Sequence, residues 1–556
     1  MSIAVLLAEG LDHHRAARYG PARACYLRLL AAAPDHADGV HLLGLAEHAA
    51  GAHVGAVGHL ERAVALRPDV AHFRANLGTA RLAAGDHAGA EACFRRVLET
   101  QPDNDDCWTN LGLALLRQGR ADDAEPCFAR ALAVAPGRAD AGPNLAACLH
   151  RRGDEAGAGG RADDAEACYR AALRVCPGHT ASLTNLGNLL ASRGRYDEAV
   201  TMLRRAVALD PVAADAHHNL AAALVAAGCL DEAEAASFAA LLFDPGHADA
   251  HYTLGTAQLL AGRLPEGFAG LEYRWRRRGF ASPREFAQPQ WDGGALAGRT
   301  LLLHAEQGLG DAIQMLRFIP AIAAQARVLL EVPAPLRRLA KGLARHAEMF
   351  TSGEALPGFD LHCPLPSLPF ALGLRLEGIP ARVPYLRANA VDMAHWRDRL
   401  AGLEGLRVGL CWAGNPGYAA DARRSIDPGR LAALADLPGI AFVSLQPGAQ
   451  PPGLRLHDWT RDLRDLADTA ALMAGLDLVV TVDTAVAHLA GALGRPVWLL
   501  NRFDTCWRWL LGRDDSPWYP TLRQFRQKRP GDWDGVLAAV RLEIAAYARE
   551  ARKFSM

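Results

Sequence analysis

No Cys-x-x-Cys pair, His-Glu-x-x-His, Walker loop or Gly-x-Ser-x-Gly elbow occurs in this chain. Those absences remove dithiol redox chemistry, zincin-type metal hydrolysis, P-loop nucleotide hydrolysis and the serine-hydrolase elbow. An excess of one charge is missing too. Sixty Lys and Arg against 61 Asp and Glu leave a formal net charge of −1, which gives no drive toward nucleic acid or an anionic membrane. Long hydrophobic runs are also wanting. The run Ile3–Ala8 has no basic residue before it and meets Glu9 at once, so it reads as the opening of a helix and not as a signal peptide or span. The 11 cysteines include Cys25, Cys93, Cys127 and Cys168, each followed by an aromatic residue. They read as small buried packing residues, free thiols that suit a reducing cytoplasm.

What is present is organised. Half of the 556 residues are apolar and 22% are charged, enough core for several globular domains. Prolines at 34, 68, 102, 136, 177, 211 and 245 recur every 34 residues, except for one interval of 41. The surplus is placed in the Gly/Ala-rich stretch Asp154–Gly160. A second series runs alongside: Leu43-Gly44, Leu77-Gly78, Leu111-Gly112, Leu145-Ala146, Leu186-Gly187, Leu220-Ala221 and Leu254-Gly255. Small residues at these points let two helices approach, and Pro stops the second helix of each unit. The pattern resembles the tetratricopeptide repeat. It predicts about seven units over 1–262, stacked into a superhelix with a concave binding face.

Asn76, Asn110, Asn144, Asn185 and Asn219 each precede the Leu-Gly or Leu-Ala pair. An amide both donates and accepts, so a row of them suits the backbone of an extended peptide whatever its side chains. The plainer reading is bonding within the repeats. The row is similar to the asparagine ladder of O-GlcNAc transferases, which join such an arm to a glycosyltransferase.

Residues 263–297 form a connector. Its Arg and aromatic residues, Leu271 to Phe280 followed by Pro283, Pro289 and Trp291, suggest either single-stranded nucleic acid or a clamp built on Tyr273 and Trp275. With no second basic segment the clamp is preferred.

Beyond 298 the grammar changes to strand, Gly-rich turn and helix, repeated. A first Rossmann-like unit is expected over 298–388, with strands Arg299–His304 and Arg327–Val332. A second is expected over 389–556, with strands Arg407–Trp412, Ile440–Leu445, Leu478–Val482 and Pro496–Leu500. Two such units facing a cleft give an α/β fold of GT-B type after the α-helical TPR arm. Gly308-x-Gly310 with Glu331 imitates a dinucleotide fingerprint, but Ile313 stands where the third glycine belongs.

The turn Gly308-Leu-Gly310-Asp311 and the segment Asp483-Thr-Ala-Val-Ala-His488, followed by Gly494-Arg-Pro496, together resemble the ADP-heptose:lipopolysaccharide heptosyltransferases. The resemblance covers about 298–545. It implies an inverting GT-B glycosyltransferase that needs neither metal nor cofactor beyond its nucleotide-sugar co-substrate. It makes Asp311 the base and Gly308, Gly310, Asp483, Thr484 and His488 donor contacts. A helix start at Thr484 suits a diphosphate, and Arg423 or Arg424 can meet its charge. Asp311 also suits a helix cap, His488 a packed core, and Gln307 either a substrate contact or a surface loop.

Three departures stand out. Ala485 replaces the family's Gly, the first unit is short, and the resemblance to heptosyltransferases alone does not assign the aromatic loop Trp507–Tyr519. This layout resembles bacterial tetratricopeptide-repeat glycosyltransferases that modify proteins, flagellin among them. Asp532-Trp-Asp534 has the form of a metal-binding D-x-D, but its place before the last helix reads as a cap.

The expected function is cytoplasmic transfer of a sugar to a protein hydroxyl, of Ser or Thr, with the acceptor held by the repeat arm. No nucleic acid or membrane span is expected. Two alternatives remain open: an interaction scaffold with an inactive sugar-nucleotide domain, and transfer to a lipid-linked or saccharide acceptor.

Overall fold

The computed structural model describes residues 2–555 except 278, 280–283, 307, 418–420 and 449. It divides into two compact units, Met1–Leu189 and Leu190–Met556. Gln307, Phe280 and Pro283 lie outside the described residues. No helix among the described residues is long and apolar enough to cross a membrane.

From Ile3 to Leu271 the chain forms sixteen helices, taken in sequence as eight pairs. Three sequence devices build them. Pro follows the second helix, where it cannot continue the turn. A residue in the left-handed region joins the two helices: Ala17, then Gly51, Gly85, Gly119, Gly160, Gly194, Gly228 and Gly262. Glycine serves there because it has no Cβ to clash at positive φ. Third, a glycine lies under a large side chain sixteen residues on. A Cβ on Gly78 or Gly112 would stand 2.7 Å from the ring of Phe94 or Phe128.

That third device relocates the insertion. In the fifth repeat the glycine under the aromatic is Gly153, against Tyr169, and not Ala146. The surplus therefore lies between Pro136 and Gly153. It lengthens the helix Ala141–Ala158 to 18 residues, against 13 for its counterpart Asp105–Arg117. The Gly/Ala-rich stretch Asp154–Gly160 is ordinary repeat. Leu145-Ala146 and Asn144 accordingly sit seven residues, about two helical turns, before the register positions they were expected to fill.

The array also extends beyond seven units. The helix Leu264–Leu271, expected to open a connector, packs on Ala248–Leu260 as the second half of an eighth pair. Its Phe268 shares a core with Leu301, Leu303 and Trp509 and meets the edge of Trp507 at 5.3 Å. The Leu511 amide donates to Leu260 O at 3.2 Å. The last repeats therefore share a hydrophobic core with the α/β region, which is why the compact units divide within the array.

Two parallel sheets follow. The first contains β1 (Thr300–His304), β2 (Arg327–Val332), β3 (Glu348–Thr351) and β4 (Leu361–Pro364) in the order β3-β2-β1-β4. The second contains β5 (Leu406–Cys411), β6 (Ile440–Ser444), β7 (Leu478–Val482), β8 (Val497–Asn501) and β9 (Leu522–Arg526) in the order β6-β5-β7-β8-β9. In each sheet the strand order reverses direction once, between β1 and β4 and between β5 and β7. The carboxyl ends at such a reversal leave a crevice where open α/β sheets take ligands.

The connector clamps through a residue the sequence reading passed over. Arg274 is buried, and its guanidinium meets Glu306 with both carboxylate oxygens, at 2.9 and 3.0 Å, and Glu272 at 2.6 Å. Burial penalises the cation, but the two carboxylates outweigh it and its pKa is raised. Tyr273 does take part, stacking on His251 at 3.7 Å. Asp532 caps the helix Trp533–Ser555 by accepting from the Gly535 amide at 3.0 Å.

Candidate active site

The turn after β1 leads into the helix Leu309–Met315, and the turn after β7 into Ala485–Ala492. These two helices pack on each other, and glycine at 310 permits it. A Cβ there would lie 2.8 Å from His488 Cδ2 and 3.5 Å from Ala485 Cα. Gly308 caps the first helix in extended conformation. Gly310 thus serves helix packing, and Gly308 the start of the helix that carries Asp311.

Asp311 stands in the first turn of its helix, partly exposed, and its Oδ1 accepts from Nη2 of Arg508. Arg508 comes from the aromatic loop and also donates to Gln314 Oε1 at 3.0 Å and touches Cys506 Sγ at 3.0 Å. Its plane lies over Trp507, 4.3 Å from the ring centre. Burial works against the charge, yet Asp311, Cys506 and Asp483 hold its pKa above the ordinary value. Arg508 is therefore a cation near both expected site carboxylates, one from each sheet.

On the second sheet, the Asp483 carbonyl accepts from Nη1 of Arg424 at 3.0 Å. Arg424 is braced by Asp421 at 2.8 Å, and Asp421 by the Ser425 hydroxyl at 3.0 Å. Gly414 is needed beside them, since a Cβ would reach 2.6 Å from the Arg424 guanidinium carbon. Thr484 caps its helix, its hydroxyl accepting from the Val486 amide at 3.3 Å. A helix start of this kind suits an anion.

His488 departs from a ligand-facing role. It is 4% exposed. Nδ1 is 2.9 Å from Tyr519 OH, and the ring stacks on Trp509 at 5.2 Å. Burial, with Arg508 and Arg317 nearby, drives its pKa well below the usual 6.5. The imidazole is neutral packing beneath the Gly310 turn, the plainer of the two readings. Arg317 completes this layer, donating to Trp518 O at 2.7 Å and to Tyr385 OH at 3.2 Å.

The structure thus gathers Gly308, Gly310, Asp311, Arg424, Asp483, Thr484 and His488. The residue the sequence reading missed is Arg508. An arginine between two tryptophans was the available signal, but nothing local tied it to Asp311.

The asparagines are less uniform. The Asn76 amide is 2.9 Å from His41 Nε2, and Asn185 donates to Asp154 at 2.8 Å. Each bonds to the preceding repeat. Asn144 donates to Asp140 O at 2.7 Å within its own helix, and Arg151 holds the ladder position in that repeat. Asn110 and Asn219 are half-buried on the first helices of their pairs.

Comparison with known proteins fits this layout. Residues 7–71, 75–143, 109–159 and 150–200 match a tetratricopeptide repeat model, and 187–228 match a TPR repeat model. Residues 464–500 match the glycosyltransferase family 9 (heptosyltransferase) model, a span that contains Asp483, Thr484 and His488. Protein FlbA of Caulobacter vibrioides (strain ATCC 19089 / CIP 103742 / CB 15) is 27% identical over 322 residues, 51% of this chain and 52% of that protein. The chain thus spans about half the length of this curated relative. Among solved structures, YrrB, a TPR protein with an unusual peptide-binding site, is 19% identical with a TM-score of 0.28, over 34% of this chain and 95% of that one. A tetratricopeptide repeat protein from Parabacteroides merdae is 14% identical with a TM-score of 0.30, over 46% and 98%.

The class is a tetratricopeptide-repeat protein with an α/β region of parallel sheets. More particularly, that region is similar to the family 9 glycosyltransferases over the segment that carries β7 and the helix after it.

Proposed function

We propose that this protein is an inverting, metal-independent glycosyltransferase of GT-B type that moves a sugar from a nucleotide sugar to a Ser or Thr hydroxyl of a protein held by the repeats. The observation that carries the reading is the convergence of Asp311, Arg508, Asp483 and Arg424 where both sheets reverse their strand order. A sugar nucleotide needs a cationic seat for its diphosphate and a carboxylate on the acceptor side, and the two lie together here.

The acceptor oxygen attacks the anomeric carbon, and its proton passes to Asp311. The bond from that carbon to the diphosphate oxygen breaks, and the nucleoside diphosphate leaves. Arg424 and the first amides of Ala485–Ala492 meet the leaving charge. Arg508, paired with Asp311 before the donor arrives, shifts toward the phosphates and releases the carboxylate for the acceptor hydroxyl. The asparagines that keep the repeat register, Asn76, Asn110, Asn185 and Asn219, hold the acceptor backbone.

The test is incubation of the full chain with a panel of nucleotide sugars and candidate acceptor proteins, followed by intact mass. A gain of one glycosyl residue on an acceptor with one donor supports the reading. Tight donor binding without any gain, across the panel, favours the scaffold.

A further inference from the structure

The eighth repeat touches both of the elements that bring Asp311 and Arg508 together. On the side of Arg508, its first helix, Ala248–Leu260, packs on the turn Trp507–Trp509 of the aromatic loop. Leu260 O accepts from the Leu511 amide at 3.2 Å, and Phe268 of the second helix meets the edge of Trp507. The loop that carries Arg508 is thus seated on this repeat.

On the side of Asp311 the contact is ionic. The helix Leu264–Leu271 runs on into the 3₁₀ turn Glu272–Arg276, and Arg274 in that turn is 2% exposed. Its Nε and Nη2 donate to the two oxygens of Glu306 at 2.9 and 3.0 Å. Nη1 donates to Glu272 at 2.6 Å and to Leu271 O at 3.3 Å, and Nη2 also to Ser367 Oγ at 2.7 Å. Gly262, between the two helices of the repeat, lies against Leu376 after β4, where a Cβ would stand 3.5 Å from Leu376 Cδ2.

Glu306 occupies a telling place. It stands two residues past β1 and two before Gly308, which caps the helix of Asp311. The sheet holds the chain as far as Ala305, whose amide donates to Glu331 O at 3.1 Å. The helix holds it again from Leu309. Arg274 anchors the stretch between, and two parallel N–H···O bonds fix the plane of a carboxylate as well as its position. A buried pair of this kind is costly to separate. None of the hydrogen-bond partners of Arg274 is Asp311 or Arg508, so any effect on the site passes through Glu306.

We infer that Arg274 is a positioning residue for transfer. Through Glu306 it holds the turn of Asp311 on the repeat that also seats the loop of Arg508, so the eighth repeat sets the spacing of carboxylate and guanidinium. This rests on the glycosyltransferase reading above. When Arg508 shifts toward the phosphates, the Glu306 anchor remains to keep Asp311 in place. The last repeat is then part of the catalytic body as well as the end of the arm.

The test uses the full chain and two readouts: hydrogen exchange by mass spectrometry, and single-turnover transfer with the preferred donor. Arg274→Lys keeps the cation but not the fork. It is expected to speed exchange over residues 308–315 about fivefold or more, with β7 and β8 within twofold. Transfer is expected to slow about thirtyfold, the scale of a misplacement below about 1 Å, with nucleoside diphosphate affinity within threefold. Glu306→Gln leaves Arg274 paired with Glu272 and is expected to move both readouts the same way by a smaller factor. Ser367→Ala removes a neighbouring bond of the network without touching Glu306, and is expected to leave both readouts within twofold. Equal losses of transfer in Arg274→Lys and Ser367→Ala, or faster exchange spread over the whole α/β region, would mark a merely structural network and overturn the inference. Local loosening with transfer unchanged overturns it too. No transfer by the unaltered chain with any donor overturns the glycosyltransferase reading, and the inference with it.

Discussion

The guanidinium of Arg508 is hydrogen-bonded to the carboxylate of Asp311, although 197 residues separate them. One belongs to a loop after β8 and the other to the helix after β1, so the pair ties the two sheets together. It also sets the state in which a donor finds the site: a cation for the phosphates, resting on the carboxylate proposed as base.

Replacing Arg508 by Lys keeps the charge but not the fork that reaches Asp311, Gln314 and Cys506 together. Nucleotide affinity is expected to fall about tenfold and kcat by more, with the α/β region still folded. Titration with nucleoside diphosphate and single-turnover kinetics measure the two. Unchanged kinetics remove Arg508 from the account.

The repeat register separates the asparagines. Asn144→Ala, two turns before the ladder position, is expected to leave KM for a protein acceptor within twofold. Asn110 and Asn185 changed together to Ala are expected to raise it about tenfold, with the rate on a short soluble acceptor unaltered. Steady-state kinetics with both acceptors decide. Equal effects of the two sets contradict peptide capture by this row.

Acid is expected to destabilise the protein before its carboxylates titrate. Burial lowers His41 and His218 to about 4 and His304 to about 3, and His488 is also lowered. In the folded chain these rings stay neutral, whereas the unfolded chain takes up protons near 6.5. Their contribution is whole above that value and is lost as pH falls toward the folded values. Each ring steepens the loss by up to about 1.4 kcal/mol per pH unit. Thermal unfolding at pH 7.5, 6.0 and 5.0 should show a falling Tm, and His304→Gln should flatten it. A flat Tm over that range refutes the assignment.

Ala17 occupies, at φ 55°, the left-handed turn position that glycine fills in the seven later repeats. Ala17→Gly removes a Cβ clash worth about 1–2 kcal/mol and returns part of it as chain entropy. A net gain of about 0.5 kcal/mol in urea unfolding is expected; a loss of stability contradicts it.

Much of this architecture is legible in the sequence, because proline, glycine and aromatic residues recur at fixed intervals. The strands β2 and β7 match their expected limits residue for residue, since each is a short β-branched or aliphatic run between turns. β3 and β4 have four residues each, too few to show a period, and both escaped. Between β1 and β2 the chain forms short helical pieces and not one long helix, with Pro320 in the last of them. Asn144 misled because it obeys the 34-residue spacing from Asn110; only the contact of Gly153 with Tyr169 reveals that the insertion lies between Pro136 and Gly153. Arg508 was invisible for a different reason. Its partner lies on another sheet, and pairing of that kind leaves no local pattern.

The most direct measurement is Asp311→Asn, an isosteric change, tested for nucleotide affinity and for transfer with the preferred donor. The account predicts affinity within about threefold of the original and transfer lowered by about 10³ or more, the scale of losing a base. Transfer by Asp311→Asn at the rate of the unaltered chain would contradict it.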